Sequence, residues 1–301
     1  VNAFSDRVSI AGFTVGWSAV RYMPEKAAYA LFDQFADAAW RKRGKGVLRL
    51  EFNLNRVMGG DLTQAEKREM SREGMRSYMR YYCDTFRLPT WSDEYLNSHF
   101  EIRGIEKLQN ALAKGGAIVS LPHSGNWDAA GAYAALQFGG VSTVAERLKP
   151  EEIYEKFLHY RNIRNIEILP HTGGDKPVLA TLTDRVRQGR LVALLGDRDL
   201  SAKGVEVEFF GHTSKMPTGP AAMAIDSDTP LHPGMLWFEP NLGVAQISDP
   251  LPMPTEGDRT ERILQLTQSL ATFWEAGIRE HATDWHMLQK IWLDEPRDLG
   301  Q

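Results

Sequence analysis

A histidine and an acid five residues apart, His123 and Asp128, stand in the stretch 115–133, Gly-Gly-Ala-Ile-Val-Ser-Leu-Pro-His-Ser-Gly-Asn-Trp-Asp-Ala-Ala-Gly-Ala-Tyr. On one continuous helix such residues differ by roughly 140° about the axis and would not share a face. A turn between them removes that difficulty. A carboxylate on Nδ1 fixes the imidazole tautomer and leaves Nε2 free to take a proton, which makes a general-base dyad. The competing reading is a histidine that merely caps a helix.

The flanking residues supply the turn. Residues 117–121 are an apolar, partly β-branched run bounded by a glycine pair and Pro122, the pattern of a buried strand. His123 then falls in the connection, and Asn126 is a good N-cap for a helix over 127–137. Asp128, in its first turn, is favoured in the charged form.

Downstream the pattern alternates: strand 141–146, helix 151–164, strand 166–169, helix 177–187, strand 191–195. A short strand and helix over 101–112 precede it, and strands at 231–238 and 244–247 and a long helix over 259–281 follow. The predicted fold class is α/β, a largely parallel central sheet flanked by helices on both faces. In such sheets ligands sit beyond the carboxyl ends of the strands. His123, Glu146 and Asp197 each fall just after such an end.

Composition sets outer bounds. The 301 residues are 43% hydrophobic and 25% charged, enough for one large α/β domain or two moderate ones with an ample core. A net charge of -4 gives no reason to expect a nucleic-acid partner. Charge is uneven, however, with eight Lys/Arg against four Asp/Glu in residues 1–50 and five basic residues without an acid in 40–49. Aromatics accompany them, among them Tyr22, Tyr29, Phe32, Phe35 and Trp40. That combination fits either an amphipathic helix in a membrane interface drawn to anionic lipid or a helix packed on the core. The uncharged run 8–20 near the start of the sequence is shorter than the ~20 residues that span a bilayer, and it lacks a signal-peptide cleavage pattern. A helix over 62–88 carries Arg68, Arg72, Arg76 and Arg80 along one edge, read as a solvated face. The lone cysteine, Cys83, among Tyr81, Tyr82 and Phe86, reads as a buried structural thiol. A single cysteine rules out an internal disulfide and fits a reducing cytoplasm.

Common nucleophile and cofactor motifs are absent from the sequence. There is no Gly-x-Gly-x-x-Gly, no Walker loop and no His-Glu-x-x-His, so neither a nucleotide, a cofactor nor a metal is expected. Ser124 lies outside any Gly-x-Ser-x-Gly elbow and is badly placed to be activated by its own neighbour. What remains is a base without a protein nucleophile. Such a base suits deprotonation of a substrate hydroxyl that then attacks an activated acyl group, with backbone N–H groups of residues 124–126 as candidate oxyanion donors.

The block Pro122-His123-Ser124-Gly125-Asn126-Trp127-Asp128 resembles the histidine, four residues, acid motif of the glycerolipid and lipid A type acyltransferases. Gly196-Asp197-Arg198-Asp199-Leu200, Phe209-Phe210-Gly211 and Met216-Pro217-Thr218-Gly219-Pro220-Ala221 resemble later blocks of the bacterial lipid A late acyltransferase branch, as do Ile278-Arg279, Trp285 and Trp292. Within it, Asp-Arg-Asp-Leu followed by Gly-Val-Glu-Val-Glu-Phe-Phe-Gly is similar to the actinobacterial phosphatidylinositol mannoside acyltransferases. The resemblance implies transfer from a fatty acyl thioester, acyl-CoA acting as co-substrate, to mannosylated phosphatidylinositol at the cytoplasmic face of the plasma membrane, by a peripheral protein on an anionic surface. It implies His123 as base and Asp128 as its orienting partner, with Ser124, Asn126, Glu146, Arg161, Arg164, Asp197 and Arg198 in contact with substrate. The expected organisation is a single acyltransferase domain, 1–301, with a mostly helical, membrane-associating region over 1–100 and a sheet-containing catalytic core over 101–301. An acyl-thioester hydrolase using the same dyad and a non-catalytic lipid-binding protein are the rival readings.

Overall fold

The computed structural model describes residues 19–145, 161–170, 177–199, 204–296 and 299. Glu146, the segment 1–18 and the first ten residues of the helix expected over 151–164 lie outside them. After a helical stretch over 19–22 come α1 (Glu25–Lys42), α2 (Lys45–Val57), α3 (Gln64–Arg87) and α4 (Asp93–His99). α3 starts where the sequence signals it, Thr63 and Glu66 forming a reciprocal capping box.

Its arginine edge is a seam between helices, which corrects the solvated face expected above. Arg72 and Arg76 both bond Asp37 of α1, at 2.6 and 3.1 Å, and Arg68 bonds Glu51 of α2 at 2.7 Å while lying over the Trp40 ring. The Arg72 and Arg76 hydrogen bonds hold the Asp37 carboxyl well below the ordinary range. The four-residue spacing puts the arginines on one face, and acids far away in sequence turn that face inward.

A seven-stranded sheet follows, built from β1 (Phe100–Arg103), β2 (Ala117–Leu121), β3 (Val141–Ala145), β4 (Ile166–Pro170), β5 (Leu191–Leu195), β8 (Leu231–Glu239) and β9 (Leu242–Ile247). Its order is β1-β9-β8-β2-β5-β3-β4. Every pairing is parallel except that of β8 with β9. From β2 the chain moves to one side for β3, β4 and β5, and later to the other for β8. The crevice beyond the carboxyl end of β2 is therefore a topological switch point.

Helices α5 (Ile105–Lys114), α6 (Trp127–Phe138), α7 (Val178–Arg187), α8 (Gly219–Ser227) and α9 (Arg259–Glu280) complete the layers. Along β2, Ala117, Val119 and Leu121 join one hydrophobic cluster with the alanines of α6, while Ile118 joins another with Leu266 and Trp274 of α9. Alternation thus sends successive side chains to two covered faces. A separate antiparallel hairpin, β6 (Val205–Phe209) and β7 (His212–Met216), packs on α9. Among the described residues no helix is long and apolar enough to cross a membrane.

Candidate active site

Sheet register places the base. β2 and β5 are neighbours with Leu121 opposite Leu195, and the Gly196 N–H continues the ladder to the Leu121 carbonyl at 2.9 Å. His123 and Asp197, each two residues past its strand, therefore meet. Asp197 Oδ1 lies 2.6 Å from His123 Nδ1, and Oδ2 accepts the His123 backbone N–H and the Trp285 Nε1–H, each at 2.9 Å. Asp197 is fully buried. Burial alone would raise its pKa, but the positive charge of His123 and the three N–H donors outweigh it and hold the carboxyl below its ordinary value. In the neutral imidazole an ionised acceptor on Nδ1 keeps the proton there and leaves Nε2 to accept one.

Asp128 is thus not the partner expected for His123. Its Oδ1 accepts from Arg161 Nη2 at 2.5 Å and its Oδ2 from the Tyr81 hydroxyl at 3.0 Å. Tyr81 in turn stacks on Trp127, ring centroids 4.0 Å apart. Burial, then the charge of Asp128, pushes the Tyr81 hydroxyl well above its ordinary pKa, so it stays a donor. In the first turn of α6 the Asp128 side chain faces α3, whereas the Nδ1 edge of His123 faces β5. The acid fastens α6 to α3 and to the turn before β4.

The loop between base and helix is clamped from several sides. Gly125 has φ 51°, and a Cβ there would stand 2.8 Å from the Trp237 nitrogen, so only glycine fits against β8. The Ser124 N–H donates to the Pro122 carbonyl at 2.8 Å and the Gly125 N–H to the Asp284 carbonyl at 2.9 Å. Two of the three expected oxyanion donors are therefore committed to backbone. The buried Ser124 hydroxyl sits 3.9 Å from Met235 Sδ. Asn126 caps α6 through Oδ1, 2.9 Å from the Ala129 N–H, and donates Nδ2–H to Asp84 at 3.3 Å. Ser124 and Asn126 shape the loop, and neither lines the cavity beside His123, contrary to expectation.

Beside His123 opens a cavity of about 390 Å³, within the ~300–1,000 Å³ of small-molecule sites. Ala130, Gly131 and Ala134 of α6 form one wall, and Val119, Leu191 and Ala193 belong to the facing sheet. The small residues of α6 hold the helix slim and leave this space over the sheet. Polar groups gather around His123: Asp128, Arg161, Arg198 and Asp199 also line the cavity. An apolar slot with a base and cations in its wall can take a long hydrocarbon and present the group attached to it.

Residues 8–294 match the family model of the bacterial lipid A biosynthesis acyltransferases. The chain belongs to this family. Curated relatives include a phosphatidylinositol mannoside acyltransferase of Mycolicibacterium smegmatis, 38% identical over 97% of this chain and 94% of the relative. Another, of the same name, from Mycobacterium tuberculosis, is 40% identical over 93% of this chain and 87% of the relative. The protein is accordingly an acyltransferase.

Against the histidine, four residues, acid motif of this family, the structure divides the predicted set. His123, Asp128, Arg161, Asp197 and Arg198 come together. Arg164 does not: it bonds Asp93 Oδ1 at 2.5 Å and the Trp91 carbonyl, at the start of α4. Sequence reasoning missed the contributions of Tyr81 and Trp285. Tyr81 carries no local sign of its role, and Trp285 entered only as part of a terminal pattern.

Proposed function

We propose that the enzyme transfers a long-chain fatty acyl group from acyl-CoA to a mannose hydroxyl of a phosphatidylinositol mannoside at the cytoplasmic face of the plasma membrane. The observation that carries this reading is the apolar cavity beside a histidine whose Nδ1 is held by a buried carboxylate. The named relatives supply the acceptor class.

In this reading the acyl chain occupies the slot between α6 and the sheet, with the thioester carbonyl beside His123. Nε2 takes the proton of a mannose hydroxyl, the oxygen attacks the carbonyl carbon, and the tetrahedral intermediate expels the thiolate, which recovers the proton from His123. No acyl-enzyme forms. Arg198, which makes no ion pair among the described residues, offers its guanidinium to the developing oxyanion or to a phosphate. Tyr22 and Phe35 are 79% and 50% exposed, and Arg41, Lys42 and Lys45 near them in sequence are exposed as well. Aromatics and cations of this kind suit an anionic lipid interface.

Labelled acyl-CoA incubated with phosphatidylinositol mannoside tests the reading. Acylated mannolipid is expected from the native enzyme and not from His123→Gln. Free fatty acid released equally fast without acceptor identifies a hydrolase instead. For the membrane, co-sedimentation with anionic but not neutral vesicles is expected, and equal binding to both removes the electrostatic contribution.

A further inference from the structure

Three consecutive residues after α9 each send one hydrogen bond into the site. The Asp284 carbonyl accepts from the Gly125 N–H, the His286 N–H donates to the His123 carbonyl at 2.8 Å, and between them Trp285 donates Nε1–H to Asp197 Oδ2 at 2.9 Å. The middle bond is the one of the three that reaches an ionised group. The indole that makes it is fully buried, with Phe209 and Trp292 as ring neighbours at 6.1 and 6.2 Å, so the donor is fixed in place.

Resting on the general-base reading above, we propose that Trp285 is a positioning residue that sets the strength of the His123 base through Asp197. A carboxylate surrounded by N–H donors shares its charge among them, and each donor weakens its hold on the others. Without the indole N–H, Oδ2 keeps the His123 backbone N–H alone. The carboxylate then pulls harder on the imidazolium, so His123 gives up its proton less readily and is held less firmly in orientation. The other titratable and charged groups around the pair are Tyr81 from α3, Asp128 from α6, Arg161 before β4, Arg198 and Asp199 after β5, and His286 beside Trp285. None of them is altered when only the indole N–H is removed.

Two variants test this. Trp285→Phe keeps an aromatic ring, and site-specific benzothienylalanine at 285 keeps the indole outline while replacing N–H by sulfur. The readouts are the pH profile of kcat/KM and the ring-carbon NMR titration of His123, its signal identified by loss in His123→Gln. The acidic limb and the His123 titration are expected to move together to higher pH, with kcat/KM on that limb falling about tenfold and the KM for acyl-CoA unchanged. Trp40→Phe is the control. It removes an indole bond far from the site, to the Arg68 carbonyl at 3.0 Å, and is expected to leave both readouts in place.

A His123 titration in the benzothienylalanine protein that coincides with the native one overturns the proposal, as does an equal move in Trp40→Phe. If Trp285→Phe fails to fold, the isosteric replacement decides. The NMR readout needs no acceptor. A native enzyme that acylates no mannolipid would therefore remove the proposed substrate while the role of Trp285 was still being judged.

Discussion

Asp197 and His123 are 74 residues apart in the chain and 2.6 Å apart at Oδ1 and Nδ1. A carboxylate in that position selects the tautomer that accepts at Nε2. Asp197→Asn is expected to leave the fold in place and lower kcat about a hundredfold or more. Asp128→Asn should show a different signature. Removing its charge takes the Arg161 ion pair away from a part-buried site, so thermal stability falls by about 1–3 kcal/mol. Steady-state kinetics paired with thermal unfolding of both variants separates the two roles.

That difference also marks what the sequence could tell. Strand, turn, N-cap and helix around His123 were legible because each rests on local chemistry, and so was the βα alternation. Asp128 looked like the partner because it was near in sequence. What decides the partner is that β5 inserts beside β2, a long-range pairing that no spacing records. Asp197 was already visible just past a strand end, which is the signal that could have found it. The arginine edge of α3 was misread for the same reason, its acids lying on α1 and α2. The hairpin Val205–Phe209 with His212–Met216 was overlooked although Val205, Val207 and Phe209 alternate with Glu206 and Glu208 as a half-buried strand should.

Two buried groups tilt stability with pH in opposite senses. Burial, then the nearby charge of His123, pushes His286 down to about 3. The unfolded chain takes that proton first, so the stability His286 confers is full above about 6.5 and drains as pH falls. Burial pushes Asp84 up to about 6 against the bonds from Tyr29 and Asn126. The folded chain keeps that proton longer, and its contribution drains as pH rises from about 4 through 6. Relative to the native protein, His286→Gln should gain stability from pH 6.5 down to about 4 and Asp84→Asn from about 4 up to 6.5. Urea unfolding across this range checks both slopes.

If the slot along α6 takes the acyl chain, its depth is set by residues without side-chain bulk. A Cβ at Gly131 meets Ile166 at 3.8 Å, an ordinary contact, so Gly131→Ala should fold normally. Gly131→Leu should shift the preferred donor to a shorter chain. Competition between acyl-CoA lengths reads this out, and an unchanged preference would show that the chain lies elsewhere.

Gly125→Ala asks a side chain to share space with the β8 backbone at positive φ. A loss of about 2 kcal/mol or more of stability is expected, with activity falling further than unfolding alone explains. Gly59→Ala is the comparison, since it has positive φ and nothing within 4 Å of the added carbon. Its activity should match the native enzyme.

The segment Asp284–Trp285–His286 has a consequence in time. Every strand of the sheet precedes these residues in the chain, yet the base loop is held and Asp197 fully bonded only once they dock. A chain halted before residue 284 would lack all three of the bonds that this segment makes to the base loop and to Asp197. The groups that align the base are thereby supplied only after the strands that carry it.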